Sequence, residues 1–100
     1  MGDVRREVRG EVLRRFSAQA IPEVLQALAD LETPPSSPEW SRTRARVQLA
    51  VLKVADGDVS RFFASVTLAS ADWRDVLCEA GLENDDWPAV LEASGYARPK

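Results

Sequence analysis

Apolar residues recur along this chain at three- and four-residue intervals, and helix is the only period that fits them. Residues 4–20 carry Val8, Val12, Leu13, Phe16 and Ala20 at helical spacing among Arg5, Arg6, Arg9, Arg14 and Arg15. Arg9 interrupts that face, and Gly10 weakens the middle by roughly 1 kcal/mol relative to alanine. Pro22 suits the first turn of a second helix, whose stripe is Val24, Leu25, Leu28 and Leu31, running through Glu32. Thr33-Pro34-Pro35-Ser36-Ser37 then breaks the pattern, and its shortness marks a connection between helices rather than a domain linker.

The third helix is announced by Ser36-x-x-Glu39, at capping-box spacing, with Pro38 in the first turn. On a helical projection Trp40, Thr43, Val47, Ala50, Val51 and Val54 share one face, and Ala45, Leu49 and Leu52 form a second apolar edge. Apolar residues on more than one side mark a helix with neighbours on more than one side. Asp56-Gly57-Asp58 closes it: Gly57 can take the left-handed conformation, and Asp58 can cap the next helix. Val59, Phe62, Phe63, Val66 and Ser70 then fall in a narrow arc, with Leu68 pointing elsewhere. Asp72-x-x-Asp75 opens a short helix with Trp73, Val76, Leu77 and Ala80 inward and Gly81 as its stop. Asn84, Asp85 or Asp86 can cap a last one through Trp87, Pro88, Val90 and Leu91, ended by Gly95.

These elements predict an all-α fold: a compact bundle of five or six short helices around a central helix at about 38–55. No segment alternates like a strand and no repeat appears. One hundred residues are expected to make a single helical domain over 1–97, with 98–100 a flexible tail.

Charge refines this picture. Net charge is −3, but residues 1–53 hold nine Lys/Arg against seven Asp/Glu, net +2, and residues 54–100 four against nine, net −5. Such a chain is a poor generic polyanion binder, because non-specific DNA affinity needs many cations on phosphates. The single cysteine, Cys78, excludes an internal disulfide framework and reads as a small core hydrophobe in a reducing compartment. The chain has no signal-peptide pattern and no run of about 20 apolar residues, so a cytoplasmic location and no membrane contact are expected.

Candidate chemistry is sparse. Histidine is absent, which removes the commonest general base and transition-metal ligand, and one cysteine cannot make a zinc site. The pairs Asp72/Asp75 and Asp85/Asp86 sit at helix starts, where capping accounts for them. Asp56-Gly57-Asp58 lacks the further ligands of a calcium loop. A DNA-binding helix-turn-helix fails there too, with Lys53 at the small position, Asp56 and Asp58 where apolar residues belong, and Phe62 and Phe63 on the would-be recognition helix. The first helix, with Glu7 and Glu11 among its arginines, reads as solvated rather than membrane-bound. No cofactor, metal or catalytic residue is therefore expected.

One feature is left over. Arg42, Arg46 and Lys53 fall within an arc of about 40° on the third helix, at 100° per residue, and Leu49 projects among them. These four are the candidate partner contacts. A charged stripe reads as a solvated face that can pair with the acidic C-terminal half; alternatively the first or second helix covers Leu49 and the cations reach past it on their aliphatic stems.

Arg46-Val47-Gln48-Leu49-Ala50-Val51-Leu52-Lys53, followed by Gly57-Asp58 and Asp72-Trp73-Arg74-Asp75-Val76-Leu77, resembles a family of short bacterial proteins of unknown function. Ile21-Pro22-Glu23-Val24-Leu25 and Asp86-Trp87-Pro88 share the likeness, which covers roughly residues 21–88. The resemblance implies a compact helical fold in bacterial cytoplasm and lends no activity. The expected role is a protein-interaction or accessory module with an unnamed protein partner and no nucleic acid. A small enzyme with an unrecognised site and a nucleic-acid-binding accessory protein are the alternatives. A pocket joining Trp73, Cys78 and Trp87 would favour the enzyme.

Overall fold

The computed structural model describes Val4 and residues 6–31 and 41–96. Six helices form there: α1 (Arg6–Arg15), α2 (Ile21–Asp30), α3 (Ser41–Ala55), α4 (Val59–Ala71), α5 (Trp73–Ala80) and α6 (Trp87–Ala93). No strand occurs among the described residues, so the all-α bundle is as the periodicity predicts. The Ser36/Glu39 capping box, Pro38, Trp40, the 33–37 breaker and the 98–100 tail lie outside the described residues.

α3 packs against α1, α4 and α5, and both of its apolar edges are buried. Val47, Ala50 and Val51 go inward on one side, and Ala45, Leu49 and Leu52 on the other. That is the central helix its two-sided pattern predicts. Buried side chains from all six helices join one apolar core.

Three local expectations need correction. The first helix does not run to residue 20. It ends at Arg15, and the Ser17 carbonyl accepts from the Ala20 and Ile21 amides at 3.0 and 3.1 Å to start a new turn. Phe16 thereby swings into the core, edge-on to Phe62 at 5.7 Å between ring centres.

Next, the inward face of α4 is Phe62, Ser65 and Ala69, roughly a quarter turn from the arc that looked cleanest in sequence. Leu68 now flanks that face, half-buried against the core, which explains its position. Val59 and Phe63 are left exposed instead.

Finally, Cys78 is exposed, not a core residue. It lies about 100° past Leu77 around α5, off the stripe made by Val76, Leu77 and Ala80.

The joints follow their local chemistry. Asp58 accepts from the Arg61 amide at 2.9 Å, capping α4. Asp72, extended at φ −156°, ends α4 and caps α5 by accepting from the Arg74 amide at 3.0 Å. Asp86 stands at the start of α6 without a side-chain cap; its backbone carbonyl takes the Ala89 and Val90 amides. α5 closes with Gly81 left-handed at φ 75°, the Leu82 amide donating to the Leu77 carbonyl and the Gly81 amide to that of Cys78.

α1 corrects another expectation, since Glu11 is only 1% exposed and is not on a solvated face. Val8, Glu11 and Val12 form the buried side, with Arg15 half-buried beside them and Arg9 outside. Arg14 and Arg15 both donate to the Glu11 carboxylate, which compensates its burial. The Arg15 guanidinium carbon also sits 3.8 Å from the centre of the Tyr96 ring, and its Nη2 donates to the Gly95 carbonyl at 3.2 Å. Burial raises the Tyr96 phenol above its usual value; Arg15 opposes this, while Glu11 and Asp56 reinforce it. α1 is thus tied to the end of α6 through one arginine.

Candidate functional site

The structure brings Arg42, Arg46, Leu49 and Lys53 together, but as an internal clamp. Leu49 is fully buried, so it offers no partner an apolar contact. Lys53 Nζ donates to the Ala80 carbonyl at 2.6 Å. Arg46 Nε donates to the Leu82 carbonyl at 2.7 Å, and its Nη2 to the carbonyls of Leu82 and Asn84. Leu49 lies between these two cations on α3, beneath the closing turn of α5 and the chain that follows. The flanking cations thus reach the end of α5 and the chain after it, not α1 or α2. Their acceptors come from the acidic C-terminal half, whose helix-end carbonyls suit cations.

Trp87 extends the clamp. Arg42, which is exposed, and Arg46 lie 5.1 and 5.5 Å from its ring centre, within cation–π range. Burial lowers the Arg46 guanidinium below its usual value, and the carboxylates of Asp85 and Glu83 work in the other direction. The other side of α3 repeats the device with α2. Gln48 Nε2 donates to the Leu28 carbonyl at 3.2 Å, and Arg44 Nη2 to that of Ala29 at 3.2 Å. Burial of Arg44 and Gln48 went unforeseen, because a polar residue between apolar ones carries no sign that a helix end will meet it.

Grooves open between helices among the described residues. One, of about 340 Å³, is lined by Val54, Arg61, Ala64, Ser65, Leu68 and Glu79. Its charged lining residues are of opposite sign, and Leu68 already packs on the core there. The other, of about 460 Å³, lies between α2 and α4 and is lined by Pro22, Glu23, Gln26, Ala27, Asp30 and Phe63.

The second groove is the candidate site. Phe63 stands 39% exposed on it, and Val59, one turn earlier on α4, is 37% exposed. Pro22 and Ala27 supply apolar area from α2. Both charged residues of α2, Glu23 and Asp30, are exposed carboxylates lining the groove, and no cation does so among the described residues. Gln26 Nε2 donates to Asp30 Oδ1 at 2.9 Å, which holds that carboxylate at the rim. An exposed aromatic beside two carboxylates can receive an apolar anchor carried between cations. The sequence signal for it was Phe62-Phe63 itself: two adjacent helical residues point about 100° apart, so they cannot both face the core centre.

Among the described residues no three His, Cys, Asp or Glu side chains cluster to hold a metal. Neither groove is lined by Trp73, Cys78 or Trp87. No known protein family, curated protein or solved structure matches the chain.

Proposed function

We propose that the protein is an interaction module, not an enzyme, and that the α2/α4 groove receives a partner segment bearing an apolar anchor flanked by Lys or Arg. The observation that carries this reading is Phe63, an aromatic side chain left exposed beside Glu23 and Asp30. Exposed aromatics at apolar, partly enclosed positions are the usual binding anchors, and rim charges select and orient the partner. Under this reading the chain works in a reducing cytoplasm, a setting that its lone cysteine supports. No helix among the described residues is long and apolar enough to cross a membrane.

A synthetic helical peptide with leucines on one face and lysines or arginines beside them is expected to bind the protein, as read by fluorescence anisotropy. A peptide with glutamates in place of the cations is expected not to. Phe63→Ala should weaken binding at least about tenfold, the range of an anchor residue. The fold should survive with a modest loss of stability, about 1–2 kcal/mol, because Phe63 is partly exposed and lies outside the buried core. Equal binding of both peptides, or none, ends the reading.

Nucleic acid is the contrasting partner. With net charge −3 and an acidic groove, micromolar protein should give no mobility shift with random duplex DNA at about 150 mM salt. Salt-sensitive, competable binding would overturn that expectation.

A further inference from the structure

We infer that a second copy of this chain supplies the anchor: Leu13 of α1 from one molecule seats in the α2/α4 groove of another. This rests on the groove being a docking site for an apolar residue with cations beside it. Three large apolar side chains are exposed among the described residues, and they fall on two surfaces. Val59 and Phe63 lie on α4; Leu13, 54% exposed, lies on α1. Around α1, Arg6, Arg9 and Leu13 share an arc of about 60°, and all three are exposed. The face opposite is the one that α1 buries, so Leu13 points away from its own core.

The two surfaces are complementary in charge. α1 carries Arg6, Arg9, Arg14 and Arg15 against Glu7 and Glu11, four against two, for net +2. α2 carries Glu23 and Asp30 alone, net −2. They also match in spacing. Arg9 precedes Leu13 by four residues, about 6 Å along the helix, and Glu23 precedes Ala27 by the same interval. Seating Leu13 against Ala27 and Phe63, with α1 parallel to the receiving α2, brings Arg9 level with Glu23. Exposed ion pairs add little affinity one by one. Here they set orientation and disfavour groove-to-groove contact.

Every copy carries both surfaces, so a twofold pair in which each molecule gives and receives satisfies them together. One leucine and a few rim charges make a small interface, so association should be weak, with Kd from about 10 μM to 1 mM.

Sedimentation equilibrium of the full chain over that range, at about 50 mM and about 500 mM salt, tests the inference. The expected result is a mass rising from monomer towards dimer with concentration, less so at high salt. Leu13→Glu and Phe63→Ala, both at exposed positions, should each stay monomeric while keeping the wild-type circular dichroism spectrum. Mixing these two variants can form one of the two contacts, since the first retains a whole groove and the second a whole anchor, so the mixture should associate more weakly than the wild type but more than either variant alone. A wild type that is monomeric throughout overturns the inference, as does either variant associating as strongly as the wild type. The cationic peptide separates the two proposals. If it binds a strictly monomeric wild type, the groove docks a foreign segment and only the second copy is refuted; if it too fails, the groove reading falls as well.

Discussion

Leu49→Ala is expected to lower the free energy of unfolding by about 2–5 kcal/mol, the range for deleting a fully buried leucine. Its side chain is 0% exposed between Arg46 and Lys53, whose cations are held on the carbonyls of Leu82 and Ala80. Those bonds pin the covering turn, so it cannot collapse freely into the cavity, which favours the upper part of the range. Leu13→Ala is the control. At 54% exposure it should change stability by no more than about 0.5 kcal/mol. Urea midpoints for the two variants check this directly. A near-neutral Leu49→Ala would mean that the end of α5 does not cover that side of α3.

Gly57→Val should lower stability by at least about 2 kcal/mol, for two reasons that add. Gly57 holds φ +81°, where a β-branched residue is strained by about 1–3 kcal/mol. A Cβ there would also lie 3.0 Å from the backbone carbonyl oxygen of Arg15. That neighbour is backbone, not the tip of a flexible side chain, so the end of α1 would have to give by a few tenths of an ångström at the α3–α4 joint. Gly10→Ala is the opposite case. It is mid-helix with nothing within 4 Å of the added carbon, and should stabilise by about 0.5–1 kcal/mol. Denaturation in which both glycine variants shift alike would contradict the joint.

The fold was largely legible in the sequence, because local rules decide most of it. Asp58 and Asp72 cap where a short acceptor precedes an apolar period, and Gly57 and Gly81 close helices because they can go left-handed. The central role of α3 could be read from its two apolar edges. What escaped depended on neighbours. The face of α4 was misjudged because Val59, Phe62, Phe63 and Val66 make a tidier arc than the mixed Phe62, Ser65 and Ala69 that the core accepts. Periodicity ranks residues by hydrophobicity, whereas close helix packing can prefer a small serine or alanine. Arg15 looked like a member of a solvated helix because its partners, Tyr96 and Gly95, lie about 80 residues away.

The candidate site was half-visible. Arg42, Arg46, Leu49 and Lys53 stood out as cations around a leucine, but the same pattern serves a helix terminus inside the molecule as well as it serves a partner. The α2/α4 groove needed the structure, since Pro22, Ala27 and Phe63 come from separate helices and no period links them.

The side chains by which α3 holds the ends of its neighbours bear on how the molecule opens. Helix ends ordinarily unwind first, at small energetic expense and without regard to the rest of the fold. Here the last turn of α2 is held by Arg44 and Gln48, and that of α5 by Lys53 and Arg46. All four anchors lie within ten residues of one buried helix, so peeling back either end pulls on the middle of the core. Amide protons such as that of Leu82, near the end of a short helix where rapid exchange is the rule, should then report the opening of the whole bundle rather than local unravelling.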